Sequence, residues 1–181
     1  MIDLHQMHRQ LVLPHAKNGV AAADFTMGNG HDLLWLAQML PQSRVYAFDI
    51  QYAALKNTRA LMTQNAVTNT QLILDSHANS KQYIHEPICI GLFNLGYLPG
   101  SDKRITTMRP STLVAVKNAV EMLSNDGIVL VAVYPGHAEG AAEGEMLMRE
   151  MSKLDRRRYC VGRFDIINSP TSPYFIFVES K

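Results

Sequence analysis

The chain has no apolar run close to the roughly 20 residues a helix needs to cross a bilayer. No membrane-spanning role is expected. Its first residues, Met1-Ile2-Asp3-Leu4-His5, lack the basic stretch and apolar core of a secretory signal, so a cytoplasmic location is expected. Cysteine is scarce: Cys89 and Cys160 are the 2 in 181 residues, with no C-x-x-C spacing. That argues against a disulfide framework and a thiolate zinc site, and no metal is expected. Both lie in apolar, strand-like runs, which predicts buried free thiols. An excess of one charge is also missing, since 17 Lys and Arg face 16 Asp and Glu for a net +1. Such a balance neither requires nor excludes a nucleic-acid partner; binding would need a local basic patch. Lys103, Arg104 and Arg109 form one candidate, and Arg156-Arg157-Arg158 another. Each is otherwise a solvated surface.

What is present is a regular alternation of strand-like and helix-like segments. It predicts an α/β fold, doubly wound, with a mainly parallel sheet. Strands are expected at residues 19–24, 44–49, 71–75, 88–94 and 128–134, and helices at 32–39, 52–65, 110–122 and 143–154. Asp126-Gly127 reads as the turn into the fifth strand. Residues 159–167 and 174–179 read as a terminal strand pair, an antiparallel edge joined by the turn-rich segment Asn168-Ser169-Pro170-Thr171-Ser172-Pro173. With no repeat, low-complexity tract or linker, residues 1–181 read as one domain. Within residues 1–18, Leu4, Met7, His8 and Leu11 share a helical face, which suggests a short cap helix ending before Pro14.

The most informative stretch is Asp24-Phe25-Thr26-Met27-Gly28-Asn29-Gly30-His31-Asp32, between an apolar strand and an apolar-periodic helix. Glycines in such a turn let backbone N–H groups approach a ligand. The third glycine of the dinucleotide fingerprint is missing, with Leu33 in its place. Asp24 would repel a pyrophosphate but suits a cation or an amine. S-adenosylmethionine carries an ammonium and a sulfonium and no phosphate. A ligand-free strand-to-helix turn is the plain alternative.

Ligands of open parallel sheets bind beyond the carboxyl ends of the strands. Polar and flexible residues gather there. Asp24, Thr26, Gly28, Asn29, Gly30, His31 and Asp32 follow the first strand; Asp49 and Gln51 follow the second; Asp75, Ser76 and His77 follow the third. These are the candidate cofactor residues, together with Asn94. Asp49 suits the two hydroxyls of a ribose, or caps the helix near Tyr52. Asp75 or His77 could flank an adenine, or His77 is a surface loop residue. Trp35 reads as core. After the fourth strand come Asn94, Leu95, Gly96, Tyr97 and Pro99, and after the fifth Tyr134, Gly136 and His137. The carbonyls of Asn94, Leu95 and Gly96 can accept hydrogen bonds from an amine, and Tyr97 can stack on a base. The alternative is a buried turn shaped by glycine and proline.

On these motifs the chain resembles a family of small bacterial class I methyltransferases once labelled rRNA methylases. The resemblance rests on the glycine loop, Phe48-Asp49-Ile50-Gln51, Phe93-Asn94-Leu95-Gly96-Tyr97-Leu98-Pro99-Gly100, and Tyr134-Pro135-Gly136-His137 followed by Glu143. It runs from Gly19 to about Glu179. It implies a Rossmann-like methyltransferase fold with an antiparallel C-terminal strand, and S-adenosylmethionine as cofactor with S-adenosylhomocysteine as product. It also implies methylation of the 5-aminomethyl group on the wobble uridine or 2-thiouridine of tRNA. Asn94, Tyr97 and His137 would then be catalytic. Leu95, Gly96, Tyr97, Pro99, Lys103, Arg104, Arg109, Tyr134 and Gly136 would face the substrate, an anticodon stem-loop. A homodimer is one possible assembly. Another RNA target, or a non-catalytic RNA-binding module, are the competing readings. The turn 168–173 departs from the more proline-rich turn of the family.

Overall fold

The computed structural model describes residues 4–98, 100, 104, 106–136, 138–169 and 171–181. The expected positions Pro99, Lys103 and His137 lie outside the described residues. Seven strands form one sheet in the order β3-β2-β1-β4-β5-β7-β6. They are β1 (Ala21–Asp24), β2 (Val45–Asp49), β3 (Thr70–Leu74), β4 (Ile88–Asn94), β5 (Leu123–Val133), β6 (Tyr159–Phe164) and β7 (Tyr174–Ser180). The first five run parallel; β7 is antiparallel to both β5 and β6. The chain winds outward from β1 to β3, then crosses back to place β4 beside β1. That reversal opens a crevice at the carboxyl ends of β1 and β4.

Strand residues alternate between two cores because the sheet is covered on both faces. On one face Ala115 and Val116 of helix α4 (Arg109–Glu121) and Leu147 and Met151 of helix α5 (Ala138–Met151) join Ala23, Phe93, Val131 and Ile176. On the other face Leu33 and Leu36 of α2 (His31–Met39), Leu55 and Met62 of α3 (Tyr52–Gln64) and Val12 of α1 (Leu4–Val12) join Ala22, Leu92, Leu130 and Phe175. The N-terminal cap helix thus forms, and a short 3-10 turn over Leu13–His15 carries Pro14 where its missing N–H costs nothing.

Some expectations are corrected. Helix α5 begins at Ala138, five residues before the expected start at Glu143. Asp126-Gly127 is not a turn before β5 but a bulge within it. Ile88 pairs with Leu123 and Ile90 with Ile128, so the extra residues are absorbed at Asp126, whose φ is 56°. A Cβ on Gly127 would lie 3.0 Å from the Ser124 carbonyl oxygen and 3.1 Å from that of Ile88. Cys89 is buried as expected, but Cys160 is exposed, because β6 is the outermost strand of the sheet. Trp35 is only half-buried, with the Arg9 guanidinium 5.1 Å over its ring. A 3-10 turn over His77–Gln82 fills what reads in sequence as plain loop.

Candidate active site

The loop after β1 is held open by glycine and braced by α3. Gly28 and Gly30 have φ of 50° and 84°, a region that side chains with a Cβ disfavour. At Gly30 a Cβ would also sit 2.8 Å from Thr58 of α3. The Thr58 hydroxyl donates to the Gly28 carbonyl at 3.0 Å, and Asn57 Nδ2 donates to Asn29 Oδ1 at 3.0 Å. Below the loop, Phe25 stacks on Phe93 with ring centroids 4.5 Å apart. Phe25 and Phe48 form an apolar floor.

Three carboxylates surround this loop, each in a different state. Asp24 is 1% exposed and receives the Thr26 N–H at 3.1 Å. Burial, then the nearby charges of Asp32 and Asp49, push its carboxyl up from 3.8 to about 8. Burial also acts on Asp32, but the His8 and Asn94 bonds and the His8 and Arg9 charges outweigh it and hold that carboxyl below its ordinary value. Asn94 Nδ2 donates to Asp32 Oδ2 at 2.8 Å, and His8 Nε2 lies 3.2 Å from Oδ1. Asp49 accepts the Gly28 N–H at 3.1 Å and the Gln51 N–H at 2.9 Å. Burial raises its carboxyl despite these bonds. Gln51, not Asp49, occupies the N-cap of α3. Each Asp49 oxygen keeps a lone pair for a ligand hydroxyl.

At the far end of the crevice, Asp75 is held ionised by the Tyr83 hydroxyl at 2.8 Å, with Asn79 and the Ser76 N–H adding to the effect. His77 is half-buried, with Nδ1 3.1 Å from the Phe25 carbonyl oxygen. Burial lowers its imidazole against that bond. Burial also raises the phenol of Tyr134, on the opposite rim, as does the charge of Asp32.

The loop after β4 is a short ladder. Tyr97 and Thr106 form an antiparallel bridge, and the Thr107 N–H donates to the Gly96 carbonyl at 3.0 Å. The Gly96 N–H donates to Thr107 Oγ1 at 2.9 Å, and that hydroxyl donates to Glu143 Oε2 at 2.7 Å. Glu143 is fully buried on α5 and takes Thr112 at 2.6 Å through its other oxygen. One buried carboxylate therefore ties the loop to α4 and α5. Asn94 is fixed separately, its N–H donating to Thr26 Oγ1 at 2.7 Å.

These parts line one cavity of about 1230 Å³. That exceeds the usual range for a single small ligand, roughly 300–1,000 Å³, and leaves room for a nucleoside cofactor and a second reacting group. The structure brings around it Asp24, Thr26, Gly28, Asn29, Gly30, His31, Asp32, Asp49, Gln51, Asp75, Ser76, His77, Asn94, Leu95, Gly96, Tyr97, Tyr134 and Gly136. Arg104 and Arg109 stand outside its wall; Arg109 pairs with Glu139, Nε to Oε1 at 3.1 Å. The exposed run Arg156-Arg157-Arg158 lies just before β6 and also outside the wall. The sequence alone does not point to Arg9, Met108, Thr171 or Pro173, all of which line the cavity. The turn between β6 and β7 thus reaches the site. Among the described residues, no group of three or more His, Cys, Asp or Glu could hold a metal ion, and no helix is long and apolar enough to cross a membrane.

A family model described as "Putative rRNA methylase" matches residues 45–179. A chloroplastic tRNA (mnm(5)s(2)U34)-methyltransferase of Arabidopsis thaliana is 31% identical over 177 residues, covering 91% of this chain and 65% of the relative. The chain therefore spans a little under two thirds of that protein's length. A "putative rRNA-methylase" of Clostridium thermocellum superposes with a TM-score of 0.94 at 34% identity, over all of both chains. A "putative methyltransferase" of Streptococcus mutans, in complex with SAH, superposes with a TM-score of 0.90 at 31% identity, over 100% of this chain and 99% of that one.

Proposed function

This chain belongs to the family described as "Putative rRNA methylase", and from that membership we propose that it is an S-adenosylmethionine-dependent tRNA methyltransferase. Its fold is the class I methyltransferase fold, a mainly parallel seven-stranded sheet with antiparallel C-terminal strands. The substrate in this reading is the 5-aminomethyl group of a wobble uridine or 2-thiouridine, and the product is the 5-methylaminomethyl base. The identity to the Arabidopsis tRNA methyltransferase supports that choice. The observation that carries the chemistry is the convergence of Asp24, Asp49 and Asn94 on a single cavity.

The donor set fits the cofactor. Asp49 would take ribose hydroxyls, Asp75 and His77 would border the base, and Asp24 would take the ammonium. Bound there, the cofactor supplies a methyl group on a sulfonium, open to attack by a nitrogen lone pair. The protein's task is to present that lone pair. An alkyl ammonium has none, and its ordinary pKa, about 10.4 by analogy with lysine, keeps it protonated at neutral pH. Asn94 Nδ2 is committed to Asp32, which leaves Oδ1 to accept one amine N–H and aim the lone pair away from itself. The Leu95 and Gly96 carbonyls are further acceptors in the loop. Tyr97, 41% exposed on the rim, offers a ring to the base. Holding the reacting atoms in line supplies a large share of the rate.

Nucleoside mass spectrometry tests the reading. Transfer RNA from cells lacking the protein should accumulate the 5-aminomethyl nucleoside and lose its methylated form. Purified protein with S-adenosylmethionine should restore it. Unchanged tRNA with altered ribosomal RNA would replace this reading with an rRNA target.

A further inference from the structure

We infer that His8, on the N-terminal helix, is a positioning residue for Asn94, acting through Asp32 to fix which end of the Asn94 amide faces the amine. The inference deepens the proposed function and rests on it for the identity of the amine.

The chain of contacts is continuous. His8 is 5% exposed, and its Nε2 lies 3.2 Å from Asp32 Oδ1, within ion-pair distance though not in hydrogen-bond alignment. The imidazole is wedged edge-on against Trp35 of α2, ring centroids 6.0 Å apart, and tilted against Phe175 of β7 at 6.4 Å. Aromatic walls on two sides leave the ring little freedom to turn. Facing a carboxylate, Nε2 carries its hydrogen, since an ionised carboxylate only accepts. The second Asp32 oxygen accepts from Asn94 Nδ2 at 2.8 Å. Asn94 can meet a carboxylate only with its NH₂ end, so Asp32 decides the orientation of the amide. The reversed amide would donate an N–H to the amine and occupy the lone pair that has to attack. Without His8, Asp32 is free to turn toward solvent or toward the neighbouring Arg9, and Asn94 loses the partner that selects its orientation. A helix that reads in sequence as a cap is thereby part of the catalytic geometry.

The test uses the full-length protein with SAH, S-adenosylmethionine and tRNA bearing 5-aminomethyluridine. His8→Ala should lower kcat on the order of tenfold to a hundredfold, the scale of a misplaced reacting group. The KM for tRNA and the Kd for SAH should stay within about twofold of wild type. His8→Gln, whose amide can still donate to Asp32, should recover most of the loss. The doubly substituted His8→Ala, Asp32→Asn protein should be no slower than Asp32→Asn alone, because both act through one chain of contacts. The Asn94 side-chain NH₂ signals in ¹⁵N spectra of the SAH complex give a readout independent of turnover. They should shift and exchange faster in His8→Ala and return toward wild type in His8→Gln. A wild-type kcat in His8→Ala, multiplicative losses in the double variant, or unmoved NH₂ signals would each overturn the inference. Failure of the wild-type protein to methylate the aminomethyl tRNA would overturn the proposed function instead, and the NH₂ signals would then decide the contact chain alone.

Discussion

Asp24 is the most strongly shifted carboxyl among the described residues. Its carboxyl stands near 8 in the folded protein against 3.8 ordinarily, so at neutral pH the native state holds a proton that the unfolded chain has released. The contribution of this group to stability is therefore fully present below about pH 4 and is lost as pH rises through about 8. Denaturant titrations from pH 5 to 8.5 should show that decline, and Asp24→Asn should flatten it. A cationic ligand beside Asp24 favours the ionised form. The affinity for S-adenosylmethionine should consequently rise with pH toward 8 in the wild type and lose that dependence in Asp24→Asn. Calorimetry in buffers of different ionisation enthalpy reads the released proton directly. Asp49 makes a plainer case: Asp49→Ala should weaken cofactor binding by about 1–3 kcal/mol, the cost of lost charge-assisted hydrogen bonds. An affinity equal to wild type would leave Asp49 with only its loop bonds to Gly28 and Gln51.

At the scale of elements, the glycine loop and α3 act as one unit. Gly30→Ala places a methyl group against Thr58 and strains a φ of 84°. Urea unfolding should show a loss of about 1–3 kcal/mol, and cofactor binding should weaken with it. Replacing Thr58 by Ala in the same protein should return part of the loss by making room. The five parallel strands and this loop are legible in the sequence because each depends on neighbours a few residues away: an apolar run, a glycine turn, a helix start. The sequence does not disclose contacts made across long separations. Thr107 and Thr112 meet Glu143 over 36 and 31 residues, and nothing local marks Glu143 as the anchor of the β4 loop. Thr171 and Pro173 reach the cavity only because β7 inserts beside β5. The bulge at Asp126 reads as an ordinary turn because Asp-Gly serves both structures, and only pairing with β4 distinguishes them. Arg109 reads as a phosphate contact by its closeness in sequence to the β4 loop, yet it pairs with Glu139 outside the cavity wall.

For the molecule as a whole, the near-zero net charge limits how RNA can be held. In the proposed reading no long-range field draws in the polyanion, and binding rests on local phosphate contacts. In the proposed reading these fall on Lys103 and Arg104, directly after the β4 loop. Substituting both by Ala should weaken binding of an anticodon stem-loop. It should also flatten the dependence of log affinity on log salt by roughly one unit or more, at about 0.7 per neutralised phosphate. SAH affinity should be unchanged. An unaltered slope would move the search to Arg156, Arg157 and Arg158.

The N-terminal segment of the described chain touches β7. His8 packs on Phe175, and His15 Nε2 meets Glu179 Oε1 at 3.3 Å. Synthesis emits α1 long before β7, so every residue between them must be made before α1 has its complete seat. Until then β5 is an open sheet edge and the docking face of α1 lacks Phe175. Contacts of such sequence separation slow folding, because a long loop must close before they can form. β7 therefore adds to the sheet and to the aromatic seat of His8 together. A chain cut before β7 would carry the whole glycine loop and Trp35, one wall of the His8 seat, but not the other.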